Sequence, residues 1–250
     1  MVRVLKIGGS ILTDKSCERG ALPMEIERVA REVASRPHDL VLVHGAGSFG
    51  HIPAKQYGLP QRFSPEGLRV THESVVRLNR LVLEALARAG VEALPVHPLS
   101  CLILSGGRIE SFATEPIKKM LEDGIMPILH GDVAMDLTQR AGIVSGDQLV
   151  SHLARALKAE VVAVGCNVDG VLFSGRPMAE VKRSDLPLIE GAIGGSAGID
   201  VTGGMKGKLD ELLDLADMGM SSMIFNASKE GNIVRALRGE AIGTKVWRPD

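Results

Sequence analysis

Short apolar runs alternate with segments of helical periodicity along the whole chain, beginning with the run Arg3 to Ile7. Apolar residues recur at helical spacing from Met24 to Ala34, and Leu40 to Val43 is an unbroken apolar run. Unbroken apolar runs are typical of strands covered on both faces. A strand, a helix and a second strand in this order predict two parallel strands joined by a crossover helix. The pattern therefore predicts an α/β fold with a mostly parallel sheet.

The same alternation continues to the end of the chain. A long helix is predicted from Val70 to Ala89 with Gly90 as its end, followed by a strand at Ala93 to Val96 and a hairpin across Gly106-Gly107. The remaining predicted elements are a helix after Thr114, a strand at Ile125 to Leu129, a helix at Asp147 to Ala159, a strand at Glu160 to Val164, a helix at Met205 to Met218, and strands at Met223 to Asn226 and Thr244 to Trp247.

Composition narrows the class of protein. A chain of 250 residues with 45% hydrophobic content can bury a full core, so one α/β unit with two lobes is expected over residues 1–250. Aromatic residues make up 3% and the net charge is −1, which leaves little material for base stacking or for attraction to a polyanion. Nucleic acid is therefore excluded as a partner.

The cysteines and the lack of long apolar stretches indicate in which cellular compartment the protein is expected. Cys17, Cys101 and Cys166 are odd in number and far apart, so they fit neither a disulfide framework nor a zinc site. No run approaches the roughly 20 apolar residues of a membrane helix. We expect a soluble cytoplasmic protein with no membrane association and no metal site of its own.

Three glycine-rich segments lie at or beside the ends of predicted strands. They are Lys6-Ile-Gly-Gly-Ser10, the segment from His44 to His51, and the segment from Asp200 to Lys208. Glycine lets backbone N–H groups approach a charged oxygen closely, and ligands of parallel sheets bind at the carboxyl ends of strands. The three segments suggest two phosphorylated ligands.

Phosphoryl transfer requires positioning and cationic charge on the transferring group. Lys6, Lys15 and Lys208 lie in or next to the glycine segments and can supply that charge. Lys6 is the most informative, because a lysine within an apolar strand is costly to bury without a charged partner. Lys206 is interpreted as a surface residue.

Two other nucleotide-binding motifs are alternatives for the glycine-rich segments. Gly45 to Gly50 matches G-x-G-x-x-G, which favours a dinucleotide enzyme. That motif needs a long helix starting inside it, whereas Pro53, Gly58 and Pro60 are expected to leave at most two turns. The P-loop pattern G-x-x-x-x-G-K-[ST] does not occur in the chain.

His51, Asp147 and Asp169 keep two interpretations each. His51 can donate to a phosphate oxygen or lie on a loop surface, and His44 can simply be packed at a strand end. Asp147 can be a helix N-cap or can orient lysines, and Asp169 can be a turn residue or a functional one. The other histidines are interpreted as structural or exposed: His38, His72, His97, His130 and His152.

Taken together, the motifs resemble the amino acid kinase superfamily over essentially the whole chain. The segments that carry the resemblance are Lys6 to Ser10, His44 to His51, Ser145-Gly-Asp147, Val168-Asp-Gly170 and Asp200 to Met205 with Lys208. Within the superfamily, the segments Gly47-Ser-Phe-Gly-His51 and Thr13-Asp-Lys15 resemble those of the isopentenyl phosphate kinases. The resemblance implies a three-layer αβα sandwich, an acceptor-binding lobe at about 1–159 and a nucleotide-binding lobe at about 160–250. It also implies a homodimer that uses ATP with Mg²⁺.

The implied activity is ATP-dependent phosphorylation of isopentenyl phosphate to isopentenyl diphosphate, with release of ADP. Carried onto this sequence, the acceptor phosphate would be held by His51 and by the backbone around Gly45, Ala46, Gly47, Gly50 and Gly146. The transferring phosphoryl group would be stabilised by Lys6, Lys15 and Lys208 and cradled by Gly8, Gly9 and Ser10. Asp147 would organise the lysines. The nucleotide side would comprise Asp169, Gly170, Gly203 and Gly204.

The chemistry of a monophosphate acceptor agrees with the motifs. Its second pKa is about 6, so its oxygen can attack without a dedicated general base. Val75, Val76 and Leu83 on the long helix can line a pocket for an isoprenoid tail, or can belong to the core.

The chain departs from the superfamily pattern in its second half, and other kinases share the phosphate-binding pattern or the fold. Cys166-Asn167 and Arg176-Pro177 stand where other residues are usual, which affects adenosine binding. The alternatives are another kinase of the superfamily, acting on fosfomycin, acetylglutamate, UMP or carbamate, and a nucleotide-binding regulator without catalysis.

Overall fold

The computed structural model describes residues 1–14, 16–193 and 203–249. In this part of the chain the strands are β1 (Arg3–Ile7), β2 (Thr13–Asp14), β3 (Gly20–Ala21), β4 (Leu40–His44), β5 (Ala93–Pro95), β6 (Leu102–Ser105), β7 (Arg108–Phe112), β8 (Met126–His130), β9 (Asp132–Asp136), β10 (Arg140–Val144), β11 (Val161–Cys166), β12 (Leu172–Phe173), β13 (Arg176–Pro177), β14 (Glu180–Val181), β15 (Ser222–Asn226) and β16 (Thr244–Val246).

The helices of the described residues alternate with these strands. They are α1 (Gly9–Leu12), α2 (Pro23–Ala34), α3 (Gly47–Gln56), α4 (Pro65–Arg88), α5 (Pro98–Cys101), α6 (Glu115–Glu122), α7 (Gly146–Leu157), α8 (Leu186–Ile193), α9 (Gly203–Asp217) and α10 (Asn232–Leu237), with a short 3-10 turn at Arg183–Asp185.

An eight-stranded sheet in the order β14-β16-β15-β11-β1-β4-β8-β5 forms the centre of the molecule. Its strands pair in parallel, except that β16 runs antiparallel to β15. Strand β1 lies between β4 and β11, so Lys6 sits opposite Val43 on one side and Val164 on the other. The first functional candidate is therefore in the middle of the sheet.

Helices cover both faces of this sheet. Alternate residues of β1 and β4 contribute to two separate cores, Val4 and Val41 to one and Leu5 and Leu42 to the other. The first core is completed by α7 and α9, and the second by α2, α4 and α10. These three layers confirm the predicted α/β class and αβα sandwich.

A second sheet, in the order β10-β9-β6-β7, was not fully predicted. The hairpin across Gly106-Gly107 is present, but β9 and β10 were missed. Their turn lacks glycine and is instead held by Asp136, whose carboxylate accepts N–H bonds from Thr138 and Gln139. Although burial opposes the change, these donors lower the pKa of Asp136.

Two helices differ from the prediction. Helix α4 begins at Pro65 rather than Val70, because Ser64 caps it by accepting the Gly67 N–H at 3.0 Å. Helix α3 contains Pro53 and runs for 10 residues, so the limit of two turns was wrong. Its buried residues Phe49 and Ala54 pack it into the molecule, and such packing outweighs the backbone hydrogen bond that proline removes.

Candidate active site

Two glycine-rich turns interlock where the neighbouring strands β1 and β4 end. A β-carbon added to Gly9 would lie 2.4 Å from the Gly47 nitrogen, and one added to Gly45 would lie 2.5 Å from the Gly9 nitrogen. Gly47 also has a φ of +53°, which favours glycine. The two backbones therefore touch directly, and no side chain fits between them.

Thr13 fastens these turns to each other. Its buried hydroxyl donates to the Gly9 carbonyl oxygen at 2.8 Å and accepts the Ser48 N–H at 3.1 Å. Sequence reasoning used Thr13 only as part of a motif and missed this link. The signal was present, because a threonine hydroxyl can donate to the backbone carbonyl four residues before it, which here belongs to Gly9.

A buried charge cluster lies at the end of β1, beside the turns. The Lys6 ammonium Nζ is 2.6 Å from Asp147 Oδ2, and the Lys208 Nζ is 3.1 Å from Asp147 Oδ1. The exposed fractions of the three side chains are 7% for Lys6, 14% for Asp147 and 9% for Lys208. The structure thus joins β1, α7 and α9 through one carboxylate with a lysine on each oxygen.

The cluster has one more positive charge than negative, and its protonation follows from its burial. Burial lowers the pKa of Lys6 to about 8, against the opposing effect of Asp147. Burial would raise the pKa of Asp147, but the two lysines outweigh it and the pKa of the carboxyl is lowered. At neutral pH the site therefore presents a net cation, as binding of a phosphoryl group requires.

Asp147 is not the N-cap of α7. That role belongs to Ser145, whose hydroxyl accepts the Gln148 N–H at 3.1 Å. Asp147 lies one residue inside the helix, where its carboxylate is free to hold the two lysines. Gly146 precedes it, and a β-carbon there would lie 3.0 Å from Cε of Lys6.

Gly8, Gly45 and Gly50 belong to the backbone that we expect beside the phosphates. Their N–H groups donate within the chain, to Gly165 O at 2.8 Å, to Ile7 O at 2.9 Å and to Ala46 O at 3.2 Å. These three glycines shape the backbone and do not offer free donors. Gly9 and Ser10 begin helix α1, and Gly146 begins helix α7. The first N–H groups of a helix have no acceptor within that helix, so these three residues stay candidates for binding phosphate.

His51 lies in helix α3 rather than in a loop, and its side chain is exposed. Gly50, beside it, faces α4, because a β-carbon on Gly50 would lie 3.3 Å from a methyl carbon of Val75. Val75 is buried and Val76 is half-buried, whereas Leu83 packs into the core beneath α4. The acceptor roles of His51 and of this helix face stay predictions.

The expected nucleotide side lies at the ends of β11 and β15. The Asp169 carboxylate is 2.6 Å from Lys229 Nζ and accepts from Asn226 at 2.9 Å, and these two partners were missed by sequence reasoning. Gly170 has a φ of +144° and contacts Thr244. Gly203 and Gly204 begin helix α9. Lys15 and Asp200-Val-Thr202 lie outside the described residues.

Several histidines cluster near the ends of β4 and β8. His72 Nδ1 is 2.8 Å from Asp132 Oδ2, and His97 Nδ1 is 2.9 Å from His130 Nε2. The hydrogen bond to Asp132 raises the pKa of His72, whereas burial lowers the pKa of His130. In the part of the chain described by the structure, no group of three or more His, Cys, Asp or Glu side chains is arranged to hold a metal ion.

Comparison with known proteins agrees with this geometry. Residues 1–226 match the model of the amino acid kinase family. An isopentenyl phosphate kinase from Methanothermobacter thermautotrophicus is 37% identical, with 97% of this chain and 98% of that protein covered. The chain belongs to the amino acid kinase family, in its isopentenyl phosphate kinase branch.

Two further isopentenyl phosphate kinases support membership in this branch. The enzyme from Methanocaldococcus jannaschii is 34% identical, with 98% of each chain covered. A solved isopentenyl phosphate kinase superimposes with a TM-score of 0.85 at 33% identity, covering 98% of this chain and all of that one.

Among the described residues, no helix of this family member is long and apolar enough to cross a membrane.

Proposed function

We propose that this protein transfers the γ-phosphoryl group of ATP to isopentenyl phosphate, giving isopentenyl diphosphate and ADP. One observation carries the reaction type: Lys6 and Lys208 share the Asp147 carboxylate at the end of the central strand, beside two interlocked glycine turns. The choice of acceptor rests on the isopentenyl phosphate kinases that the chain resembles over its full length.

The chain's own groups suit a direct transfer. The acceptor monophosphate is already largely ionised at neutral pH, so no protein base is needed to create the attacking oxygen. Charge on the transferring group would be offset by the ammonium groups of Lys6, Lys208 and Lys15. Asp147 would hold two of these cations in place, and His51 would donate to the acceptor phosphate.

The residues also fit a nucleotide that carries its own magnesium. Both oxygens of Asp147 are occupied by lysines, so this carboxylate is not open as a metal ligand. Magnesium commonly binds chiefly through substrate phosphates and water. We therefore propose that Mg²⁺ enters with ATP and neutralises nucleotide charge, while Gly9, Ser10, Gly203 and Gly204 approach the phosphates by backbone.

The two parts of the chain would bind different substrates. Residues up to about 159 would bind the acceptor and residues from about 160 the nucleotide, which the placement of His51 on α3 and Asp169 after β11 supports. The homodimer is carried over from the family. A reducing cytoplasm is supported by the free thiols of Cys17, Cys101 and Cys166.

An acceptor panel tests the proposal. ADP release with Mg-ATP would be measured for isopentenyl phosphate, fosfomycin, acetylglutamate, UMP and carbamate at matched concentrations. Selective turnover of isopentenyl phosphate is expected. Turnover of a different acceptor would support kinase activity but overturn the proposed substrate. No ADP release with any acceptor would favour a nucleotide-binding regulator.

His51→Ala tests the acceptor side separately. Loss of a hydrogen bond to a charged phosphate should weaken acceptor binding about tenfold or more, with ATP binding largely kept. His38→Ala, at an exposed histidine before β4, is the matched control. Activity of His51→Ala within a few fold of wild type would remove His51 from the acceptor site.

A further inference from the structure

Two neighbouring strands end in the same dipeptide, a histidine followed by a glycine. His44-Gly45 ends β4 and His130-Gly131 ends β8, and the two histidines are opposite each other in register and fully buried. Each ring Nδ1 lies near the carbonyl oxygen of the following glycine, at 3.1 Å for Gly45 and 3.2 Å for Gly131. The repeated contact indicates a defined role for the ring in shaping the backbone after each strand.

The protonation state of His44 follows from its partners. Burial lowers its pKa, so the ring is neutral at neutral pH. A carbonyl oxygen can only accept, so Nδ1 carries the proton and Nε2 is an acceptor. The Asn79 Oδ1 lies 3.0 Å from Nε2, and among the described residues the Asn79 Nδ2 has no hydrogen-bond partner. An amide turned so that Nδ2 donates to Nε2 satisfies both groups and fixes the ring at both nitrogens.

The bond from His44 determines which way the next peptide faces. In a trans peptide the carbonyl and the N–H point in opposite directions. Since the Gly45 carbonyl is held by the His44 ring, the Ala46 N–H of the same peptide must point away from that ring. The Gly45 N–H itself donates to Ile7 O at 2.9 Å. The N–H of Ala46 is thus the donor that this peptide offers to the site.

The Ala46 nitrogen borders the space beside Gly131 that an added β-carbon would fill. A β-carbon added to Gly131 would lie 3.6 Å from the Ala46 nitrogen and 3.5 Å from the Gly146 nitrogen. The Val144 carbonyl oxygen is also 3.5 Å from that point, so an anion would have to bind toward the two nitrogens. Gly146 begins α7, where the N–H groups carry the positive end of the helix dipole.

We propose that His44 is a positioning residue for the acceptor, which holds the Gly45–Ala46 peptide so that the Ala46 N–H, with that of Gly146, faces the acceptor phosphate beside Gly131. His44 does not touch the phosphate and acts through this peptide. The inference rests on the proposed function, because it assigns the acceptor phosphate to this space.

Two substitutions of His44 separate positioning from packing. Asparagine places its amide nitrogen near the position of Nδ1, whereas glutamine reaches the position of Nε2. Both lose the ring, and we expect both to lower the thermal unfolding temperature. His44→Asn should keep the KM for isopentenyl phosphate within about threefold of wild type. His44→Gln should raise it about tenfold or more while the KM for ATP stays unchanged, since the loss is one donor to a charged group.

Ala46→Pro removes the proposed donor directly. Ala46 has a φ of −67°, which proline adopts without strain, and it lies before the first residue of α3, where its N–H is not needed by the helix. A folded Ala46→Pro protein should lose acceptor binding, measured by calorimetry with isopentenyl phosphate, and should still bind ATP.

The outcomes distinguish this inference from the proposed function. Equal acceptor KM values for His44→Asn and His44→Gln, or normal acceptor binding by Ala46→Pro, would overturn the positioning role while wild-type turnover stands. Wild-type protein that does not turn over isopentenyl phosphate would overturn the proposed function and this assignment with it.

Discussion

At the scale of single residues, the shared carboxylate of Asp147 is the most consequential feature. Two buried ammonium groups depend on it, and breaking a buried ion pair on one side leaves uncompensated charge. Asp147→Asn should therefore lower the free energy of unfolding in urea by about 3 kcal/mol. Deprotonation of Lys6, whose pKa is already about 8, limits the loss.

Glu73→Gln is the matched control for Asp147→Asn. Glu73 pairs with Arg69 on α4 at 3.1 Å, with side-chain exposures of 59% and 60%. Removing such an exposed pair should change the free energy of unfolding by less than about 0.5 kcal/mol. Equal effects of the two substitutions would contradict a buried, coupled cluster.

The lowered pKa of Lys6 predicts an alkaline limit to activity. The ammonium loses its proton as pH rises through about 8, so kcat/KM for ATP should fall above that pH. Stability should change in the opposite sense. Because the unfolded chain holds this proton up to about 10.5, the contribution of Lys6 to stability rises between pH 8 and 10.5.

Activity and thermal unfolding measured together over pH 6 to 10 check this account. A fall in kcat/KM with an apparent pKa near 8, without a matching fall in unfolding temperature, is expected. A flat activity profile through pH 9 would show that Lys6 is not required as a cation.

Single residues also show where sequence reasoning succeeded and failed. The partnership of Lys6 was predictable, because an apolar strand around a lysine demands a countercharge. Which N–H groups of the glycine turns are free could not be predicted, because the acceptors of the Gly8 and Gly45 N–H groups belong to other strands. The role of His44 depends on Asn79, which is distant in sequence.

At the scale of elements, the interlocked turns after β1 and β4 determine the shape of the site. An alanine at Gly9 would place its β-carbon 2.4 Å from the Gly47 nitrogen and 2.6 Å from its Cα, and backbone cannot move aside easily. Gly9→Ala should cost about 1–3 kcal/mol of stability or more and greatly reduce activity.

Gly207→Ala is the control for this substitution. Gly207 is an exposed residue of α9 with no atom within 4 Å of an added β-carbon. Alanine there should stabilise the helix by about 0.5–1 kcal/mol. The measurement is urea unfolding of both variants, and a Gly9→Ala protein as stable as Gly207→Ala would refute the interlock.

Elements were predictable where a single local signal decided them. The strands of the central sheet are buried on both faces, so β1, β4, β11 and β15 read as apolar runs. The β9–β10 hairpin has no such signal, because its turn is held by Asp136, which also accepts from Gly106 and Gly107 on another hairpin. Pro53 misled the prediction because packing of α3 against α4 is a tertiary effect.

At the scale of the whole molecule, the two proposed lobes share one sheet. Strand β1 of the first lobe pairs with β11 of the second along its full length, and α7 packs beside α9 in the same core. Urea unfolding should therefore be a single transition. Fluorescence of Trp247, the sole tryptophan of the chain, reports the second lobe, and far-ultraviolet circular dichroism reports both. Two separated transitions would show independent domains.

The proposed reaction of the whole molecule is direct transfer of a phosphoryl group from ATP to isopentenyl phosphate. The most direct test is ³¹P NMR of the purified protein with Mg-ATP and isopentenyl phosphate, with a Lys6→Ala sample in parallel. We expect the acceptor monophosphate signal to be replaced by the two coupled signals of a diphosphate ester as ADP forms, and the Lys6→Ala sample to react much more slowly. Release of inorganic phosphate with the acceptor signal unchanged would contradict it.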